Sequence, residues 1–470
     1  MNVPASAPVG DAACAGLPPA RRGLVFAVIA LALMMMSIDA TIVATALHAL
    51  AEDLGAPMNW TGWTITAYWF GYVVMLPVSG RLAERLGNRR VFLASTLAFA
   101  AASLACALAT NIYWLVLFRA LQAIGGAGLT PAATGIVVAR FGASRDRVLG
   151  LFGAVFSVGS LIGPVLGGLF VTYAGWRDVF FVNVPIGLAM ALAGGWLIPR
   201  DRHEDRLRRS MDALGMLLAG VSVLAGMLAA SVLGDAGSRV LSWQFLAPLA
   251  LALGCGWAFF RHIGRVAEPF LPPRLIHGRG FAATNLLNAT YGGMVTGAIT
   301  LVPLYAATRY GLDALDAGTL LIPQSAVALV LAPLAAWALR ATGYRWPFYV
   351  GGLLGAVGLL LLALTPRFGL SPWAWLALAT LFTGAGAGIM GPASRNAALQ
   401  LVPERAATMS ALRATAQELG VIVVLAIITS VMATSTEPDA VLATSYAALV
   451  LLSLAMLPVI ARVPEHRGAW

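Results

Sequence analysis

Fourteen apolar runs, each about as long as a membrane-crossing helix, constrain this chain more than any other feature of its sequence. They cover residues 23–50, 61–80, 90–109, 112–134, 148–172, 179–198, 212–234, 243–262, 280–306, 317–339, 346–365, 372–394, 408–433 and 441–461. A helix needs roughly 20 mainly apolar residues to cross the hydrocarbon core, at about 1.5 Å of rise per residue. The runs are continuous, whereas a membrane β-barrel needs segments of about ten residues with alternating polarity. The charge content agrees. Thirty basic and 20 acidic residues make up 11% of the 470, against about 25% in a soluble domain whose surface must face water. The sequence therefore predicts an all-α, polytopic membrane protein with fourteen transmembrane helices.

The few charges are distributed unevenly. Every basic residue is arginine, which we read as codon usage in a GC-rich genome rather than as chemistry. Placing both termini in the cytoplasm assigns 25 of the 30 arginines to cytoplasmic segments, among them Arg395, Arg405 and Arg413 around the start of the thirteenth run. Four, Arg177, Arg239, Arg309 and Arg367, fall outside, and Arg119 lies within a run. The external segments carry acids instead, including Glu52, Asp53, Asp313, Asp316, Glu437 and Asp439. This is the positive-inside pattern, and it accounts for a net charge of +10 and a pI of about 10.1. A nucleic-acid partner is not expected, because that needs a basic patch on a soluble face. Cys14, Cys106 and Cys255 are too far apart for a ligand set or a disulfide framework, and the five histidines are scattered, so no metal site is expected. The first run is too long for a cleaved signal.

Internal symmetry divides the chain. Pro77, Gly87, Arg89 and Phe92 recur as Pro333, Gly343, Arg345 and Phe348 at a constant offset of 256 residues. Trp114 and Pro131 recur as Trp375 and Pro392 at an offset of 261. Two six-helix halves with two helices inserted between them satisfy both offsets, and repeated halves are the build of rocking-bundle transporters. The expected organisation is a cytoplasmic tail over 1–22, an N-terminal six-helix bundle over 23–198, a linker with two additional helices over 199–278, a C-terminal six-helix bundle over 279–462 and a cytoplasmic tail over 463–470.

Two motifs stand out. The string G-R-L-A-E-R-L-G-N-R-R runs from Gly80 to Arg90 after the second run. Gly80 and Gly87 permit a tight turn, Arg85, Arg89 and Arg90 crowd a short loop, and Glu84 can pair with one of them or face a helix N-terminus. Such a cluster suits a latch that closes the cytoplasmic side yet breaks in each cycle, since partly solvated ion pairs are weak. In the fifth run Gly150, Gly159, Gly163, Pro164, Gly167 and Gly168 form the second motif. Gly159, Gly163 and Gly167 share one helix face at spacings of four and allow close backbone contact, while Pro164 removes a helix hydrogen bond.

The Gly80–Arg90 string and the glycine pattern resemble the loop signature and the antiporter signature of the major facilitator superfamily. With fourteen runs, the chain looks like the fourteen-span drug:proton antiporter branch of that family. D-A-T-I-V from Asp39 to Val43, R-A-L-Q from Arg119 to Gln122 and W-R-D-V-F-F-V-N-V-P-I-G from Trp176 to Gly187 extend the resemblance over nearly the whole chain. The sequence departs from the family pattern at Glu84 (usually Asp), Ala123 (usually Gly), Ala44 (usually Asn) and His48 (usually Pro). The resemblance implies the major facilitator fold of two six-helix bundles, here with two extra central helices. It also implies a bacterial inner-membrane location, and it puts Arg119 where the family has its proton-relay arginine.

Charges inside the membrane are functional candidates, because each costs at least about 2.5 kcal/mol at the bilayer centre. Asp39 lies about 25 Å of helix from Arg22, and Arg119 about 12 Å from the external end of its run, so the two can meet across the bundle. Asp39, Arg119 and Glu418 are the candidates for proton coupling. For Glu418 a cavity-facing and a headgroup-level position both remain open, and Asp212 is expected at the interface. Gln122, Asn288, Tyr291, Tyr305, Gln324 and Gln417 are candidates for a substrate cavity whose Met and aromatic residues adapt to varied ligands. Asn and Gln can equally serve as glue between helices.

The function these features predict is proton-coupled export of lipophilic, including cationic, small molecules by alternating access. It would take its energy from the proton gradient and use no cofactor, since no phosphate-binding P-loop string occurs. Expected partners are small-molecule substrates, protons, the lipid bilayer and, where the export route is extended, a periplasmic adaptor protein. An exporter dedicated to one metabolite or lipid is the alternative. A membrane enzyme or sensor ranks lower, because clustered catalytic residues and an appended soluble domain are both lacking.

Overall fold

The computed structural model describes residues 19–56, 58–201, 212–233, 242–266, 269, 279–312, 314–399, 405–435 and 437–465. Most of both predicted tails and parts of the 199–278 linker lie outside the described residues. The N-terminal half comprises α1 (Pro19–Asp53), α2 (Met58–Leu86), α3 (Asn88–Ala107), α4 (Ile112–Gly126), α5 (Leu129–Arg140), α6 (Arg145–Tyr173), α7 (Trp176–Phe181) and α8 (Asn183–Leu197). The inserted pair is α9 (Ala213–Leu233) and α10 (Trp243–Ile263). The C-terminal half comprises α11 (Arg279–Leu287), a π-helical turn (Asn288–Met294), α12 (Val295–Ile299), α13 (Val302–Tyr310) and α14 (Ala314–Thr319). It continues with α15 (Ile322–Thr342), α16 (Arg345–Ala363), α17 (Pro372–Leu399), α18 (Ala406–Thr434), α19 (Pro438–Ala455) and α20 (Leu457–Ile460).

Every one of the fourteen apolar runs is helical over most of its described residues, but they are not fourteen uniform spans. Among the described residues, eleven helical segments are long and apolar enough to cross a membrane. The run at 61–80 is not among them, being diluted by Thr61, Thr64, Thr66, Gly62, Gly71 and several Trp and Tyr residues. The helix of the 212–234 run is α9, Ala213–Leu233, and its described apolar stretch is Ala213–Ala229. The 280–306 run is cut by the π-helical turn and by Pro303 near the start of α13.

Helix ends follow local chemistry. Asn111 caps α4 by accepting from the Trp114 amide at 3.0 Å, and Ser242 caps α10 by accepting from Phe245 at 3.3 Å. Such side-chain oxygens satisfy N–H groups that the helix leaves unpaired. The outside of the molecule is apolar, with Trp196, Trp243, Leu192, Leu253 and Leu451 all prominently exposed. Such a surface requires lipid.

The repeat read from sequence has a structural counterpart. Gly87 and Gly343 both take positive φ, at 101° and 69°, which lets α2 turn into α3 and α15 into α16. Phe92 and Phe348 are both fully buried. The Arg89 guanidinium donates to the Gly195 carbonyl at the end of α8, and Arg345 Nε donates to the Val463 carbonyl just beyond α20, at 2.9 Å. Even the acids repeat: Asp201 accepts from the Arg89 amide at 3.2 Å and Glu465 from the Tyr344 amide at 2.9 Å.

The halves meet along α2 against α18, α5 against α18, and α6 against α15 and α17. Hydrogen bonds between them gather at the end that bears Arg81–Arg90 and Arg140–Arg147, the arginine-rich end. There Glu84 accepts from the Thr408 amide at 3.1 Å, Thr134 and Ser410 hydroxyls lie 2.9 Å apart, and Asn396 donates to the Asp146 carbonyl at 3.1 Å. The α9–α10 pair packs beside this seam, where Met216, Phe259 and Ile263 cover Val78 of α2.

Candidate functional site

Asp39 is fully buried on α1, and Arg119 of α4 pairs with it at 2.7 Å. Asp39 Oδ1 also accepts from Gln122 Nε2 and from Asn183 Nδ2, each at 2.9 Å. Arg119 Nη1 donates to Gln122 Oε1 at 2.6 Å and its Nε to the Thr64 carbonyl at 3.2 Å, while Gln122 donates to Ser103 at 2.7 Å. Gln122 joins because positions i and i+3 share a helix face. A charge buried in an apolar fold must be paired and hydrogen-bonded, and here four helices and the α2 backbone supply the partners. Asn183, Ser103 and Thr64 were not anticipated. A lone Asn in the otherwise apolar run at 179–198 was the one available signal.

Between the halves lies a cavity of about 430 Å³. It is lined from α1, α2 and α6 on one side and from the π-helical turn, α15, α17 and α18 on the other. Of the residues predicted for it, Asn288, Tyr291, Gln324 and Gln417 line it, and so does Glu418, which resolves that residue's position in favour of the cavity. Gln122 does not, being held in the Asp39 network with no exposure. Tyr305 does not either. It is about 21 Å of chain beyond Tyr291 at helical rise and packs at 5.4 Å on Tyr446 and 5.8 Å on Tyr310. The Asp39–Arg119 pair is walled off by Tyr68, whose ring lines the cavity on one face and stacks 4.2 Å from the Arg119 guanidinium.

The cluster expected to act as a latch makes contacts across the seam, with different partners from those expected. Glu84 pairs with Arg81 at 3.3 Å, both buried, and not with Arg85, Arg89 or Arg90. Its other oxygen takes the Thr408 amide in the first turn of α18, so an acid of one half meets the positive end of a helix in the other. Arg85 and Arg90 are exposed, and Arg89 is spent on α8. The helix simply continues past Gly80 to Leu86, turning Arg81 and Glu84 inward at i,i+3. Gly80 itself permits the seam, since a Cβ there would lie 2.7 Å from that of Ala411 and 2.9 Å from the Ala407 carbonyl.

The glycine motif of α6 divides its work. Cβ atoms at Gly159, Gly163 and Gly167 would press on the Met34, Ile38 and Ile42 carbonyls of α1 at 2.9–3.0 Å. Gly150 faces Ala336 and Pro392 of the other half, whereas Gly168 faces open space. The helix runs unbroken through Pro164. At the opposite end of the molecule Arg177 pairs with Asp53 at 2.6 Å. Hydrogen bonds from Arg177 and Trp176 hold the Asp53 carboxyl below the usual range. Asp212 caps α9 and contacts His262 at 2.6 Å.

Two helical bundles around a central cavity, with a sealed ion pair beside it, define a membrane carrier. The sequence profile of the Major Facilitator Superfamily matches residues 29–425, and the chain belongs to that family of transporters; it is a transporter and not an enzyme. A multidrug resistance protein B homolog of Mycobacterium tuberculosis is 31% identical over 83% of this chain and 72% of its own. The tetracenomycin C resistance and export protein of Streptomyces glaucescens is 31% identical over 70% of this chain, and the multidrug transporter MdtP of Bacillus subtilis over 73%. The chain spans 61% and 63% of the length of those two relatives. In fold it resembles the human organic anion transporter MFSD10, with a TM-score of 0.66 at 16% identity over 94% of this chain and 100% of that one. It also resembles the proton:xylose symporter XylE, with a TM-score of 0.65 at 14% identity over 96% of this chain and 97% of that one.

Proposed function

We propose that this transporter is a proton-coupled antiporter that exports lipophilic small molecules by alternating access, in the fourteen-span arrangement with both termini cytoplasmic. The observation that carries the reading is the sealed Asp39–Arg119–Gln122–Asn183 network beside the cavity. Protonating Asp39 cancels its attraction for Arg119 and leaves a buried guanidinium without its counter-charge, a strongly unfavourable state. Relief requires α1 or α4 to move. α1 is interlocked with the glycine face of α6, and α6 in turn packs on α15 and α17 across the seam. A proton taken up at Asp39 therefore loosens the contact between the halves. Glu418, in the cavity, is the second acid that a proton or a substrate can reach. The proton gradient supplies the energy and no cofactor takes part. Relatives at 31% identity named for tetracenomycin C resistance and export and for multidrug resistance support a drug-like substrate.

Proton-driven efflux from everted vesicles tests this. Asp39→Asn, inserted and folded as judged by thermal unfolding, should lose it entirely. Efflux at the wild-type rate in that variant would remove Asp39 from the mechanism.

A further inference from the structure

The cavity contains charge that the coupling network does not use. Its ionisable lining consists of Arg395 of α17, Arg413 and Glu418 of α18, and the phenols of Tyr68, Tyr72 and Tyr291. Among the described residues no carboxylate is ion-paired with Arg395 or Arg413. Neutral groups hold Arg413: its Nη1 donates to Asn288 Oδ1 at 3.1 Å and to Gln417 Oε1 at 3.2 Å. Asn288 is fixed in turn by Ser394 at 2.8 Å and by its own bond to the Arg413 carbonyl at 2.7 Å. Amide oxygens orient the guanidinium without neutralising it, and Glu418 acts on Arg413 only through space, with no ion pair between them. Arg395 lies over Gly153 and Gly391, where a Cβ would come within 2.9 Å and 3.1 Å of its Nη1. The absent side chains make the room for it.

Both arginines sit on the cavity floor. Arg395 precedes Asn396, which bonds across the seam, and Arg413 is less than one turn past Ser410, which does the same. Glu418 is about 7.5 Å further along α18. With Glu418 ionised the lining carries a net +1, and with it protonated +2. An uncompensated cation within the membrane is costly and marks a ligand path. The walls are aromatic and soft, with Tyr68, Trp69, Phe156, Tyr291, Phe348 and Met390. We infer that the cavity is built for an amphipathic aromatic acid, a planar ring system whose ionised carboxylate or acidic phenol is taken by Arg395 and Arg413 at its floor. Arginine offers such an oxyanion paired, charge-assisted hydrogen bonds, and the ring system stacks on the aromatic wall. This narrows the lipophilic substrate proposed above and rests on that reading.

Two xanthene dyes of nearly equal size separate charge from shape: fluorescein, which carries a carboxylate, and a rhodamine methyl ester, a cation on the same frame. Binding to the purified full chain in nanodiscs is read by fluorescence anisotropy at neutral pH. Fluorescein should bind about tenfold more tightly than the rhodamine, and Arg395→Gln or Arg413→Gln should each weaken it about tenfold. Arg395→Lys should keep most of the preference. Glu418→Gln, which removes the one carboxylate of the lining, should tighten fluorescein binding, a gain that misfolding cannot imitate. Equal or tighter binding of the rhodamine overturns the inference, as does a fluorescein affinity indifferent to both arginines, or no fluorescein binding at all. The same dyes in proteoliposomes keep the two readings apart. Proton-driven rhodamine export with no anion preference sinks the inference alone. Arginine-dependent fluorescein binding without proton-driven export of either dye sinks the coupling proposal alone.

Discussion

The Asp39–Arg119 pair and the cavity charges Arg395, Arg413 and Glu418 hold ions inside an apolar fold in opposite ways. Asp39 and Arg119 are 0% and 1% exposed and are held by each other and by Gln122, Asn183 and the Thr64 carbonyl. The cavity arginines are partly exposed and are held by amides and glycine-made space. A sealed, neutralised pair can be changed by very little other than a proton. An open, uncompensated charge can be answered by a substrate. The contrast separates the proposed coupling pair from the proposed recognition site by the thickness of one tyrosine ring, that of Tyr68.

The strongest way to break that division is Asp39→Asn. It should abolish proton-driven efflux while leaving dye binding in the cavity close to wild type; loss of both in a folded protein would mean the two sites are one. Next comes the route from the sealed pair to the seam. Gly163→Val forces a side chain against the Ile38 carbonyl and should destabilise the protein by about 1–3 kcal/mol. Gly168→Ala, facing open space, should change unfolding by less than about 0.5 kcal/mol. Thermal unfolding of the two variants side by side tests whether α1 and α6 move as one.

A smaller effect is expected at the latch. Glu84→Ala removes the Arg81 pair and the acceptor for the Thr408 amide, and should weaken the closed seam by about 1–2 kcal/mol. Cysteine accessibility at the arginine-rich end should rise severalfold, while Arg85→Ala, on an exposed residue, leaves it unchanged.

The smallest concerns Asp53 and Arg177. A carboxyl held below its usual range stabilises the fold above the unfolded value of about 3.9 and loses that contribution as the pH falls through the lowered one. Asp53→Asn should therefore lower the melting temperature slightly at neutral pH and cease to matter in strong acid. A difference that persists there would assign the effect to packing instead.

Much of this was legible in the sequence. The runs, the internal offset, the glycine face and the meeting of Asp39 with Arg119 all follow from hydropathy, spacing and depth along a helix. Arg395 and Arg413 were not legible as cavity residues: both counted among the cytoplasmic arginines of the positive-inside pattern, although Arg413 lies within the thirteenth run. Arg395 is inside α17, which continues past its apolar stretch to Leu399, and Arg413 is inside α18, where the cavity accepts it. Arg81 was passed over for Arg85, Arg89 and Arg90 for a related reason. All four are equally basic in sequence, and only the continuation of α2 to Leu86 decides which one turns inward.

By itself, then, the sequence determined which segments leave water, which end of the molecule is basic, and that two halves repeat. Those properties depend on residues close together along one chain segment. The tertiary structure decided which polar groups face one another: Asn183 on Asp39, Glu84 on the first turn of α18, Gln122 away from the cavity, and two arginines into it. Hydropathy records how strongly a side chain prefers water. It carries no information on whether the alternative to water is lipid, a partner's carboxylate or an empty cavity, and only the packing of distant helices supplies that.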